Sequence, residues 1–257
     1  MSTAVTLVDV KRYWSRYIND VEVIKAPLGS TEFLDELVRY RYEKMPYLLG
    51  IVTSPALRHK DILEIGCGPG IDLIHLAATG ARVTAIDLTP EAVSLARRHL
   101  ELRGLQATVQ EGNAERLQFK DEEFDVVYSV GVLHHTVDTQ RAINEVWRVL
   151  KPGGEAIIML YHRNSWFWWL SKLSRTAVEH AEADAPVVRA YSIREARQPF
   201  HAFAAITART ERIPVKTRKF SGWRRTIYNT LFVPVFNALP RRVTRRLGWH
   251  IVIHAWK

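Results

Sequence analysis

Between residues 61 and 161 short apolar runs alternate with longer amphipathic stretches. The apolar runs fall at 61–65, 82–87, 107–111, 124–130 and 155–161, and helical periodicity occupies 72–78, 90–103 and 139–149. The punctuation agrees with this reading. Gly66, Gly68 and Gly70 close the first run, Gly80 and Gly104 end the first two helices, and Lys151-Pro152-Gly153-Gly154 ends the third. Thr89 stands where it can cap the second helix, with Pro90 in its first turn. Strands alternating with helices predict βαβ units and a parallel sheet buried on both faces.

The flanks are less regular. Residues 1–60 read as helical and irregular, anchored by Trp14, Tyr17, Phe33, Tyr40, Tyr42 and Tyr47; they are expected to form an N-terminal lid. After 161 comes an aromatic-rich stretch to about 191. Ser192 is placed to cap a helix over 193–203, a sixth strand is expected at 206–213, and a last at 250–255. The expectation is an α/β chain with a seven-stranded, mostly parallel sheet and helices on both faces. Its main domain would span 61–257, with cap insertions at about 162–191 and 214–248.

At 257 residues, 47% apolar and 25% charged, the chain can bury one large core. Its single cysteine, Cys67, excludes an internal disulfide and a cysteine-cluster zinc site, and a cytoplasmic setting is expected. No metal is expected. No apolar run approaches the roughly 18 residues of a membrane span, and residues 1–10 lack the pattern of a secretory signal. The net charge of +9 is local. Nine of the 36 basic residues lie in 214–248 with no acidic residue among them, which leaves 27 of each sign elsewhere.

The densest chemistry is at Glu64-Ile65-Gly66-Cys67-Gly68-Pro69-Gly70. A glycine turn between strand and helix lets a ligand approach the backbone. A pyrophosphate-binding turn would need its third glycine at position 71, which is Ile71. Glu64 inside the strand would repel a pyrophosphate and suits a cationic group. Asp87, ending the second strand, can accept both hydroxyls of a ribose; its alternative role is to cap the next helix.

Taken in order, Glu64–Gly70, Asp87, Gly112-Asn113-Ala114-Glu115, Phe124-Asp125-Val126-Val127, Leu133-His134-His135 and Arg148-Val149-Leu150-Lys151-Pro152-Gly153-Gly154 resemble the successive motifs of class I S-adenosylmethionine (SAM)-dependent methyltransferases. The likeness is strongest to the branch methylating small molecules, including quinone-biosynthesis and sterol-type enzymes. It implies a Rossmann-like fold and SAM as cofactor. It further implies that Gly66, Cys67, Gly68 and Gly70 make room for the methionine part, that Glu64 and the backbone near Ser129 hold its amino group, and that Asp87 and Leu88 lie at the ribose. Asn113 and Ala114 would face the adenine. Similar proteins usually carry aspartate at the position of Asn113, so weaker binding is expected there.

Methyl transfer needs an acceptor held in line and dry, and sometimes a proton removed. His134 and His135, at the carboxyl edge of the fourth strand, and His162, after the fifth, are the candidates for that second task. The alternative for the pair is packing of the loop. Trp14, Tyr17, Arg41 and Tyr42 from the N-terminal region are candidates to close over SAM and the acceptor, or else only dock their helix on the core, and Trp166, Trp169, Trp223, Arg224 and Tyr228 from the cap are candidates to surround the acceptor. The basic segment admits an anionic small-molecule acceptor, peripheral contact with an anionic membrane, or a solvated face; nucleic acid is disfavoured. A minimal reading has a SAM-dependent methyltransferase acting on a small lipophilic or anionic acceptor. RNA or protein methylation, and a SAM-binding module without turnover, are the alternatives.

Overall fold

The structure is a computed structural model that describes residues 5–18, 20–174, 185–211, 214–215 and 222–257. Strands β1 (Asp61–Ile65), β2 (Arg82–Asp87), β3 (Thr108–Glu111), β4 (Phe124–Val130), β5 (Leu150–His162), β6 (Ala190–Tyr191), β7 (Ala205–Glu211) and β8 (His250–Trp256) form one sheet. Its order is β3-β2-β1-β4-β5-β8-β7, with the two-residue β6 pairing alongside β5. β8 runs antiparallel to both β5 and β7; every other pairing is parallel.

Helices α1 (Leu7–Arg16), α2 (Thr31–Lys44) and α3 (Pro46–Val52) precede the sheet. They are followed by α4 (Ile71–Ala78), α5 (Pro90–Arg103), α6 (Thr139–Val149), α7 (Trp166–Ser174) and α8 (Ile193–Arg197). Because successive strand residues point to opposite faces, the apolar runs feed two cores at once. Leu63, Val127 and Ile158 pack with Ala142, Ile143 and Val146 of α6 on one face. Ile62, Val126 and Ile157 pack with Leu73 of α4 and Ala96 and Leu100 of α5 on the other. α6 opens where Asp138 accepts the Arg141 N–H at 3.0 Å, and α8 opens on a capping box of Ser192 and Glu195.

Four expectations shift in detail. β5 begins at Leu150 rather than at 155, because Leu150 pairs with Phe124 before an irregularity resets the register at Val126 and Glu155. The helix from Ser192 ends at Arg197 and tightens into a 3-10 turn, Gln198–Phe200, where Pro199 has no N–H to continue it. Thr89 sits at the cap position of α5, but its hydroxyl points back to Asp87 and caps nothing. Residues 212–213, expected at the end of β7, lie outside the described residues.

The cap rises from the carboxyl edge of β5. After β7 come α9 (Gly222–Ile227), a π-helical stretch at Tyr228–Phe232, α10 (Val233–Ala238) and α11 (Arg241–Arg246). Tyr228, Phe232 and Phe236 recur every fourth residue and meet Trp166 of α7 at ring-centroid distances of 5.8–6.3 Å. Beneath them Trp249, fully buried, stacks on Tyr161 at 4.3 Å.

Candidate active site

One cleft opens at the carboxyl ends of β1, β2 and β4, the edge where open α/β sheets bind ligands. Its floor is the glycine turn. The Gly66 and Cys67 N–H groups donate to the Ile86 carbonyl at 2.7 and 3.1 Å, fixing the turn against β2. Gly68, at φ +53°, faces open space where a side chain would otherwise stand. The other two glycines answer different constraints. A Cβ at Gly66 would lie 2.2 Å from the Val132 side chain, and one at Gly70 would lie 3.0 Å from the Ala96 Cα of α5. Gly66 and Gly70 therefore make room for the protein itself, and Gly68 is the one of the three that leaves room for a ligand.

Glu64 enters the cleft from β1 and is buried, with Oε2 lacking any hydrogen-bond partner. Burial first, then the nearby Asp72 and Asp87 carboxylates, push its carboxyl well above the usual range; Arg41 opposes them. Across the same wall stands Arg41 of α2. Its guanidinium donates to Asp72 at 2.5 Å, while Nε is buried without a partner. Burial disfavours the Arg41 charge, but Asp72 together with Tyr128 and Tyr42 outweighs it and the pKa rises. Asp72 also accepts from the Tyr42 and Tyr128 hydroxyls, each at 2.9 Å, and so ties α2, α4 and β4 together below the cleft. An unpaired buried acceptor and an unpaired buried donor on one wall fit the ammonium and carboxylate of an amino-acid group.

Asp87 ends β2 beside the turn. Oδ2 accepts from the Gly68 N–H at 2.9 Å, and Oδ1 accepts from the backbone and hydroxyl of Thr89, both at 3.0 Å. Burial raises its pKa and these hydrogen bonds work against the rise. Leu88, Asn113 and Ala114 line the cleft next to it. The Asn113 Oδ1 accepts from the Glu115 N–H at 2.9 Å, which leaves the amide nitrogen at the other end of the group. Leu7, Val10, Trp14 and Ile18 from the α1 region, with Val132 and His135, form an apolar side to the cleft.

The comparisons with known proteins follow the same stretch of chain. Residues 63–158 match the family model described as a methyltransferase domain. Over those residues the chain is similar to methyltransferase domains. Norajmaline N-methyltransferase of Rauvolfia serpentina is 32% identical over 140 residues, which is 53% of this chain and 45% of that protein. Ubiquinone biosynthesis O-methyltransferase of Klebsiella pneumoniae is 33% identical over 129 residues, 49% of this chain and 53% of that one. The chain thus spans about half the length of the curated relatives it matches. A SAM-dependent methyltransferase from Thermotoga maritima shares the fold, with a TM-score of 0.58 at 20% identity over 88% of this chain and 96% of that one.

The fold gathers Glu64, Gly66, Cys67, Gly68, Asp87, Leu88, Asn113 and Ala114 around the cleft. Ser129 does not line it. Its hydroxyl is fully buried and donates to the Ile65 carbonyl at 3.0 Å, joining β4 to β1, while its neighbours Val130 and Gly131 reach the cleft. Among the three histidines, His135 lines the cleft, and Nδ1 lies 2.6 Å from the Val187 carbonyl. His134 is fully buried, with its ring tilted against Tyr161 at 3.9 Å and against His135 at 4.2 Å. Burial and then the His135 ring hold its pKa well below the ordinary imidazole value. His162 lies away from the cleft, with Nδ1 2.9 Å from the Gly248 carbonyl, and burial lowers its pKa.

The aromatic candidates also separate. Trp14 reaches the cleft and meets the His135 ring edge-on at 4.9 Å. Tyr17 instead packs on Tyr13 at the end of α1, and Tyr42 serves Asp72 from below. Trp166 and Tyr228 form the interior of the cap, whereas Trp169 and Trp223 are exposed; the Arg224 side chain lies outside the described residues. Asp72 belongs to no motif that the sequence marks out. The available signal was an acid one residue into a helix, on the face that periodicity assigns to the core.

Proposed function

We propose that the chain is a SAM-dependent methyltransferase acting on a small acceptor with an apolar body. The observation that carries the cofactor half is the pair of partnerless polar atoms, Glu64 Oε2 and Arg41 Nε, buried on the wall above the Gly68 opening. Glu64 would receive the ammonium of SAM and Arg41 its carboxylate, with Asp72 holding the guanidinium in place. Asp87 would receive the ribose hydroxyls, pre-set by Gly68 and Thr89. Asn113 and Ala114 would flank the adenine. When bound, SAM supplies a sulfonium methyl, whose carbon–sulfur bond breaks as the acceptor's lone pair takes the carbon.

The chain's own task is then to orient the acceptor and exclude water. Leu7, Val10, Trp14, Ile18 and Val132 provide an apolar wall for it. His135 is our candidate to orient the acceptor or take its proton. A carbonyl can only accept, so Val187 fixes the proton on Nδ1 and leaves the lone pair on Nε2. Small-molecule acceptors of the two relatives, an alkaloid and a ubiquinone precursor by their names, are consistent with this reading.

The test has two steps. Calorimetry should show binding of SAM and S-adenosylhomocysteine but not of NAD; absence of SAM binding overturns the proposal. Methyl-labelled SAM with an extract of the source organism should then carry label into the organic-soluble fraction. Label confined to protein or RNA overturns the small-acceptor half.

A further inference from the structure

The outer side of the cap carries a row the cleft does not use. Trp223, Ile227, Leu231, Val235, Leu239 and Val243 recur at every fourth position, from α9 through the π-helical stretch and α10 into α11. Residues four apart share one face of a helix. Trp223, Ile227, Leu231 and Val235 share a solvent face of one helical run, and Leu239 and Val243, beyond the break where Leu239 turns extended, are exposed as well: the six side chains are 40–70% exposed. The adjacent row, Tyr228, Phe232 and Phe236, is the one turned inward onto Trp166. The segment is therefore apolar on both of these faces, and one core accounts for only one of them. On α7, Trp169 and Leu173 add further exposed apolar surface at 64% and 85%.

Charge identifies what this face meets. Arg242, Arg245 and Arg246 are exposed beside Val243, and no acidic residue occurs anywhere in 214–248. A second copy of the chain would bring the same positive charge against itself. Nucleic acid would match the arginines but leave aliphatic Ile227, Leu231 and Val235 in water. An anionic lipid surface satisfies both halves, since apolar side chains enter the acyl boundary while guanidiniums stay at the headgroups. Among the described residues no helix is long and apolar enough to cross a membrane, so the contact lies on the surface.

We infer that the exposed row on α9–α11 is a docking face for an anionic membrane. The cap stands on the same sheet edge as the cleft, so docking there places the acceptor side of the molecule near a lipid phase. The inference does not depend on which cofactor fills the cleft.

Vesicle co-sedimentation of the full chain tests it. Binding is expected to vesicles in which about a third of the phosphatidylcholine is replaced by phosphatidylserine, and at least about tenfold more weakly to phosphatidylcholine alone. The double variant Leu231→Asp/Val235→Asp should lower anionic-vesicle affinity by about tenfold or more. The triple variant Arg242→Gln/Arg245→Gln/Arg246→Gln should lower it about a hundredfold, near fivefold for each charge. Circular dichroism establishes that each variant is folded, and the arginine variant carries the test alone if the aspartates disturb the helix. The inference is overturned by equal affinity for both vesicles, by no binding to either, or by undiminished binding of the triple variant. Self-association in the ultracentrifuge that the aspartates abolish would equally overturn it, by making the face a dimer contact.

Discussion

At the scale of single residues, Glu64 makes the sharpest statement. Its neighbours are Asp72 from α4, Asp87 from β2, Arg41 from α2 and Tyr128 from β4, and burial with the two carboxylates raises its pKa well above 4.5. The sign follows from proton counting. Below the ordinary glutamate pKa both folded and unfolded chains hold the proton; between that value and the raised one only the folded chain does. Stability contributed by Glu64 thus falls as pH rises through the folded pKa. An ammonium set against it reverses the preference, so SAM should bind more tightly as pH rises through that range and should release up to about one proton. Calorimetry in buffers of different ionisation enthalpy reads this directly. Glu64→Gln should abolish the release, and an unchanged proton count in that variant would remove Glu64 from the site. Asn113 gives the second residue-scale prediction. Its oxygen is taken by the Glu115 N–H, so the end left over is a donor, mismatched to the amine that adenine would offer if it lies there as proposed. Asn113→Asp replaces that donor with an acceptor. SAM affinity should improve by roughly tenfold, the scale of one charge-assisted hydrogen bond; titration showing no gain would place the adenine elsewhere.

At the scale of elements, the glycine turn holds two functions that sequence presents as one. Gly70 lies at φ +78° against the α5 backbone, whereas Gly68 lies at φ +53° before open space. Gly70→Ala should therefore cost about 1–3 kcal/mol of stability through helix displacement and a left-handed backbone, visible in urea denaturation. Gly68→Ala shares the left-handed backbone but meets nothing within 4 Å, so it should weaken SAM binding with a smaller loss of stability. If the two variants fail in the same way, the turn is a single unit. The same contrast explains what was legible beforehand. β1, β2 and β4 lie where the apolar runs put them, because a strand buried on both faces admits no other composition and glycines mark its ends. The motif residues around Glu64, Asp87 and Asn113 were legible because backbone punctuation positions them. Asp72 and Val132 reach the cleft by tertiary packing, which periodicity does not encode. His134, His135 and His162 look alike in sequence; only burial and the carbonyls of Val187 and Gly248 tell them apart. The helix after Ser192 ended early because Pro199 withdraws an N–H, a cue present in the chain but outweighed by its apolar pattern.

At the scale of the molecule, the sheet divides the labour. The cofactor candidates hang from β1, β2, β3 and the end of β4, on one side of the sheet order, while the cap is carried by β5, β8 and β7 on the other. Among the described residues none of 222–257 lines the cleft. The link between the halves is the ring series Trp14, His135, His134, Tyr161 and Trp249, whose successive centroids lie 3.9–4.9 Å apart. Such packing transmits shape, but exposed arginines on α11 stand at its far end and are screened from the cleft by salt over about 8–10 Å. The Arg242→Gln/Arg245→Gln/Arg246→Gln variant should accordingly bind SAM within about twofold of the parent, even where vesicle binding is lost. Calorimetry on both proteins at the same ionic strength decides the point. A fall in SAM affinity matching the fall in vesicle affinity would mean that cap and cleft form one energetic unit, with the ring series as the coupling element. Independent values would mean that the fold keeps cofactor capture in one half and leaves the other to the surface it meets.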